Sequence, residues 1–253
     1  MSKPQASVTV VINSIAQAKK AQGIRVYNLS AGEPKLKTPE IVRKAAIKFV
    51  EAGDIPYPSP AGENVLRKAA VDRMARLYKT DYTTEECIIT TGGKFGIYLL
   101  LEYLCGQNSP IKQNPNDEVS VMIPAPYWVS YPAIAKIMGG KPVIMKSTAK
   151  DGWKLTPEIL RSSYNSSCKI LFLNNGCNPT GIIYSRNELK ALMDLAHELG
   201  LTVISDEVYS SLVYTDDEYV SCGSFTEYKD DIIVVQSASK SFAIKKAKSC
   251  ILS

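Results

Sequence analysis

The stretch ILFLNNGCNPTGIIYSRNELKALMDLAHELGLTVISDEVY, residues 170–209, decides the fold. It opens on a short apolar run, ILFLNN (170–175), and breaks at a turn carrying glycine and proline. It continues through the amphipathic helical run RNELKALMDLAHELG and closes on a second β-branched run, LTVISD (201–206). Short continuous apolar strands separated by helices are the pattern of a sheet that is largely parallel and buried on both faces.

The same alternation extends in both directions. Upstream, CIITT (87–91) precedes a glycine turn and the helical FGIYLLLEYL. VSVMIP (119–124) precedes SYPAIAKIMGG, and PVIMK (142–146) precedes a helix near TPEILRSSY. Downstream, IIVVQS (232–237) completes the series. The expected class is α/β, with a largely parallel sheet flanked by helices. Residues 1–50 read differently, as an N-terminal helix, the extended SAGEP (30–34) and the helical PEIVRKAAIKFVEAG.

Bulk properties narrow the function. Hydrophobic residues make up 45% and charged residues 22% of the 253 positions, an ordinary globular balance. The formal charge of +5 is spread along the chain, so it predicts a solvated surface rather than a nucleic-acid stripe. Lys245, Lys246 and Lys248 are the one local cluster, and a group this small reads as solvated. Six cysteines without a CxxC pair, and the single histidine His197, argue against zinc and against a disulfide framework. His197 lies in the amphipathic run of residues 186–200 and reads as a helix-surface residue, which disfavours Ser-His-Asp chemistry. No run reaches the length of a membrane span, and a cytoplasmic protein is expected.

In an open α/β sheet, ligands bind beyond the carboxyl ends of the strands, so the residues there matter most. They are Thr91-Gly92-Gly93-Lys94, Ala125-Pro126-Tyr127-Trp128, Asn174 to Gly181, Asp206-Glu207-Val208-Tyr209 and Ser237-Ala238-Ser239-Lys240. Gly92 and Gly93 let backbone N–H groups approach an anion at a helix N-terminus, and Ser237 adds a hydroxyl. Trp128 offers a flat face to an aromatic ring. Asp206 could keep a pyridine nitrogen protonated, Asn178 and Tyr209 could bond a phenolic oxygen, and Lys240 could bond an aldehyde carbon and then move a proton.

NLSAGEP (28–34), PYPSPAG (56–62), TGGK (91–94), PAPYWVSYP (124–132), NNGCNPTG (174–181), SDEVY (205–209) and SASKSFA (237–243) together resemble the class I/II aminotransferases that depend on pyridoxal 5'-phosphate. The nearest likeness is to the bacterial aspartate or aspartate/prephenate branch, over about residues 8 to 243. The resemblance implies a transaminase moving an amino group from an aspartate-type or aromatic amino acid to a 2-oxo acid, built as a homodimer. It makes Lys240, Asp206 and Tyr209 catalytic. Gly92, Gly93, Lys94 and Ser237 would hold the cofactor phosphate, and Tyr57 would reach the phosphate of the partner subunit. Trp128 would stack on the ring and Asn178 would bond its oxygen. Gly32, Trp128 and Asn178 would face the substrate. No metal is implied. Residues 1–50 become a small-domain segment or dimer arm, 51–243 an incomplete cofactor-binding large domain, and 244–253 a divergent tail.

The match departs at two places. Gly176-Cys177 stand where the family has Pro-Ser, which reads as turn variation, with Cys177 a small packing residue. After Ala243 the family continues with a PGWRLG-like segment, an inner strand of the sheet and a C-terminal small domain, whereas this chain reads IKKAKSCILS. Position 248 keeps a positive charge as Lys, without the arginine fork. ILS is expected to be too short to replace the inner strand, leaving unpaired backbone groups that cost about 1–3 kcal/mol each. Impaired catalysis follows as an expectation. A carbon–sulfur lyase on the same scaffold, or a non-catalytic truncated product, stay open as alternatives. The SxxK reading of 237–240 needs further motifs downstream, and only residues 241–253 follow.

Overall fold

A computed structural model describes residues 8–29, 32, 36–54, 57–244 and 250–252. The chain divides into two compact units between Lys37 and Thr38. The first contains helix α1 (Val8–Ala21), whose last turn carries Lys19 and Lys20 at the negative end of the helix dipole. Within that unit Asn28 Nδ2 donates to Asn13 Oδ1 at 2.7 Å.

The second unit holds one seven-stranded sheet. In chain order it runs α2 (Glu40–Glu51), α3 (Asn64–Tyr78), β1 (Ile88–Thr90), α4 (Gly93–Cys105), β2 (Ser120–Ala125), α5 (Ser130–Ile137) and β3 (Lys141–Lys146). Then come α6 (Pro157–Ser163), β4 (Cys168–Asn174), α7 (Arg186–Glu198), β5 (Thr202–Asp206), β6 (Ile232–Ser237), α8 (Ala238–Ser241) and β7 (Cys250–Leu252). The spatial order is β1-β7-β6-β5-β4-β2-β3, with β2 to β6 mutually parallel.

Strand alternation divides the core in two. Val121, Ile123, Ile170, Phe172, Ile204 and Val235 face one cluster together with Ile97 and Leu101 of α4 and Ile134 of α5. Met122, Leu171, Leu173, Val203 and Val234 face the other, with Met74 of α3, Leu160 of α6 and Leu189 and Leu192 of α7. Residues 206 and 207 inherit this alternation, so their carboxylates leave the end of β5 toward opposite faces. The helices start where local chemistry starts them. Ser185 and Glu188 form a reciprocal capping box on α7, and Thr156 caps α6 ahead of Pro157. His197 is surface-exposed on α7, with Nδ1 2.6 Å from Asp231 Oδ2.

Two features differ from expectation. No sequence-based expectation covers α3, yet Ala70, Val71, Met74 and Tyr78 bury its inner face in the core. The tail also supplies the inner strand it was expected to lack. Cys250–Leu252 lies between β1 and β6, antiparallel to both. Its three residues match the whole of three-residue β1 and pair with Val235, Gln236 and Ser237 of β6. Lys245, Lys246 and Lys248 lie outside the described residues, as do Ser30, Ala31, Glu33 and Pro34 of the SAGEP segment.

Candidate active site

The strand ends converge on one edge of the sheet. β1 and β6 run parallel to each other on either side of β7, so the turns that follow them emerge two strand spacings apart, about 10 Å. After β1, Gly92 takes φ +115°, a conformation open to glycine, and α4 begins at Gly93 with no side-chain cap on its first N–H groups. After β6, buried Ser237 caps α8, its hydroxyl accepting from the Ser239 N–H at 3.2 Å. The Lys94 side chain is exposed, with Nζ 5.5 Å from the centre of the Trp128 ring.

Asp206 is buried at the end of β5. Tyr131 Oη donates to its Oδ2 at 2.6 Å, and the Val208 N–H donates to Oδ1 at 3.2 Å. Burial raises the Asp206 carboxyl above its ordinary range, and these two donors pull it down. Among the described residues no cation forms an ion pair with it. Tyr131 is locked by packing, stacked on Phe172 with ring centres 4.7 Å apart and meeting Trp128 edge-on at 5.4 Å. Burial first, and the Asp206 charge second, push the Tyr131 phenol well above its ordinary value, so it stays a proton donor.

Lys240 is half-buried on α8, with Nζ 5.4 Å from the centre of the Tyr209 ring. Burial, then the charge of Asp206, raises the Tyr209 phenol, while a hydrogen bond with Asn178 lowers it. Asn174 organises this corner. Its Nδ2 donates to Asp206 O at 2.8 Å, and its Oδ1 accepts from the Asn178 N–H at 2.8 Å. Gly176 takes φ +79°, and a Cβ there would lie 3.1 Å from Tyr209 Cβ. Proline cannot adopt that φ, so this turn reaches Tyr209 by a glycine route. Cys177 is half-buried, with Sγ 3.6 Å from Pro126 O.

The structure thus brings Asp206, Tyr209, Asn178 and Lys240 into one linked corner, with Trp128 joined to it through Tyr131. Gly92, Gly93 and Ser237 stand at the neighbouring strand ends. Tyr57 is not among them, being fully exposed to solvent. Gly32 belongs to the first unit and is exposed there. Two buried polar residues carried no expected role. Tyr131 stands three positions after Trp128, a spacing that could have drawn attention to it. Glu207 follows Asp206 inside SDEVY. No group of three metal-ligating side chains occurs among the described residues, and no described helix is long and apolar enough to cross a membrane.

The comparisons with known proteins agree with one another. A family model described as aminotransferase class I and II matches residues 24–246. The aspartate aminotransferase of Bacillus sp. (strain YM-2) is 35% identical over 239 residues, which is 94% of this chain and 58% of that protein. The aspartate/prephenate aminotransferase of Thermus thermophilus is 35% identical over 238 residues, again 94% of this chain and 58% of that protein. The solved aspartate aminotransferase from Thermus thermophilus with maleate superposes with a TM-score of 0.90 at 32% identity, covering 98% of this chain and 62% of that one. The chain therefore spans about three-fifths of the length of these relatives.

Proposed function

Because this chain belongs to the class I and II aminotransferase family, whose members depend on pyridoxal phosphate, we propose that it binds that cofactor and serves transamination between an amino acid of aspartate or aromatic type and a 2-oxo acid. The observation that carries the reading is the buried Asp206 carboxylate, oriented by Tyr131 and paired with no cation among the described residues. A charge so placed is costly unless a cation completes it, and a protonated pyridine nitrogen would do so.

The other residues fit the same group. Uncapped N–H groups at the start of α4, with Ser237, suit a phosphate. The half-buried Trp128 ring suits a stacked pyridine, and Asn178 and Tyr209 suit its phenolic oxygen. When bound, the cofactor supplies an electron sink for the pair left by a broken Cα–H bond. The chain's own groups do the rest. Asp206 would hold the ring nitrogen protonated, and Tyr131 keeps Asp206 aimed. Lys240 would hold the aldehyde carbon of the resting cofactor and, as a free amine, would take the proton from the substrate Cα.

We read residues 51–243 as the cofactor-binding domain and 1–50 as part of a second domain or dimer arm. Fully exposed Tyr57 is available to a neighbouring copy's phosphate in a homodimer, and Ile41, Ile47, Phe49 and Val50 expose apolar surface on α2 beside it in sequence. The test is a titration with pyridoxal phosphate, followed by absorbance, of wild type and Lys240→Ala. A new band in wild type and none in the variant supports the reading, and identical spectra overturn it. Adding amino acids with and without a 2-oxo acid then separates transamination from elimination, because ammonia release without an acceptor marks a lyase.

A further inference from the structure

Glu207 has no role in the chemistry above, yet it is fully buried and its carboxylate accepts hydrogen bonds from three different groups. Its Oε1 accepts from Ser205 Oγ at 2.8 Å and from the Cys222 N–H at 2.8 Å. Its Oε2 accepts from Gln236 Nε2 at 3.3 Å. The far end of that amide is held too, since Ser210 Oγ donates to Gln236 Oε1 at 3.2 Å. The Glu207 N–H donates to Val235 O at 2.9 Å, extending the β5–β6 ladder by one residue. The 221–223 turn is seated hard against the sheet, because a Cβ on Gly223 would lie 2.9 Å from Tyr82 and 3.1 Å from Val234.

We infer that Glu207 is a positioning residue, a buried clamp that ties β5, β6 and the 221–222 turn together and so fixes the spacing between Asp206 and the Ser237–Lys240 segment. Asp206 precedes Glu207 and Ser237 follows Gln236, so any slip of the Glu207–Gln236 pair moves the ring-nitrogen partner relative to the phosphate and tether residues. The inference rests on the proposed cofactor reading for its purpose, but the clamp itself exists without cofactor. Facing it are the titratable groups Tyr82, Tyr219 and Cys222, with Asp206 beside it on the other face of the strand.

Leucine and glutamine at 207 separate a hydrogen-bonding clamp from simple filling. Glu207→Leu keeps the bulk and removes every acceptor. Glu207→Gln keeps an acceptor for Ser205 and Cys222, and the Gln236 amide can turn over to meet the new donor while the Ser210 hydroxyl accepts. Two readouts are needed: hydrogen exchange at the Cys222 amide in the cofactor-free chain, and pyridoxal phosphate affinity by equilibrium dialysis. In Glu207→Leu the Cys222 amide should exchange about tenfold faster and cofactor affinity should fall about tenfold, while Glu207→Gln stays within about threefold of wild type on both. If Leu and wild type behave alike, or Gln is as damaged as Leu, the clamp is refuted. If Glu207→Leu does not fold, Gln236→Met removes the side-chain bonds of Gln236 while leaving Glu207 bonded to Ser205 and Cys222, and should weaken cofactor binding about threefold; unchanged binding refutes the clamp. Should wild type itself fail to bind the cofactor at Lys240, the functional reading falls, and the exchange measurement still judges the clamp.

Discussion

The two ends of the sheet are held by different means. From β5 to β3 the strands are parallel, paired over as many as six residues, and packed between two apolar clusters. From β1 to β6 the sheet is closed by one three-residue antiparallel strand that arrives from the far end of the chain. Yet the proposed site draws on both. Asp206, Asn178 and Tyr209 follow strands of the parallel end, whereas Gly92, Gly93, Ser237 and Lys240 follow the two strands that β7 joins. Through its pairings with Thr90 and Ser237, Cys250 reaches the last residue of each of the two strands proposed to flank the phosphate. The comparison teaches that stability and site geometry have separate sources, with most burial in the parallel end and the alignment of the turns after β1 and β6 in a short seam.

Several measurements can break or sharpen this contrast. The largest loss of stability should come from the parallel end. Phe172→Ala removes a fully buried ring that also supports Tyr131, and should cost about 3–5 kcal/mol in denaturant unfolding. A smaller loss would mean that the parallel end is not the main store of stability.

Next comes a pH effect at the junction of the two ends. Burial pushes the Glu207 carboxyl up to about 7 from 4.5, against donors from Ser221, Ser205, the Cys222 N–H and Gln236. The native state then keeps a proton that the unfolded chain has released, so stability falls as pH rises from 4.5 to about 7 and levels off above. Glutamine at 207 does not titrate, so across that window Glu207→Gln should gain roughly 3 kcal/mol relative to wild type. A difference independent of pH would show that Glu207 is ionised throughout.

The seam should be less costly to damage globally and more costly locally. Ile251→Pro removes a ladder N–H from β7 and should cost roughly 1–3 kcal/mol. Its hydrogen-exchange footprint should be confined to β1, β6 and β7, and uniform loss of protection across β2 to β5 would erase the distinction between the ends. The smallest stability effect is expected for Tyr131→Phe, about 1–2 kcal/mol, because only one hydrogen bond to Asp206 is lost. Losing that donor should also let the Asp206 carboxyl rise further, so cofactor affinity should fall more steeply as pH is lowered than in wild type.

Legibility in the sequence follows the same division. The parallel end could be read because each of its strands is an unbroken β-branched run set between amphipathic helices, as in residues 170–209. Its proposed site residues could be named because strand ends carry the chemistry in such sheets. The seam could not, since Cys250–Leu252 is three residues with no pattern of its own and acquires strand geometry only from partners some 160 residues away along one side, at β1. Helix α3 was obscured because its buried positions are interleaved with Arg67, Lys68, Asp72, Arg73 and Arg76, leaving a narrow apolar stripe. Tyr131 and Glu207 bond to neighbouring side chains and backbone; for Tyr131 only its spacing from Trp128 hinted at this, and for Glu207 there was no comparable cue.

The central claim is that Lys240 is the group to which an aldehyde cofactor becomes attached. Incubation with pyridoxal phosphate, reduction with borohydride and peptide mass spectrometry test it directly. The account predicts one reduced adduct, on Lys240 within residues 232–244, in chain that remains folded. Folded chain with no adduct on that peptide, or with label scattered over surface lysines such as Lys68 and Lys141, would contradict it.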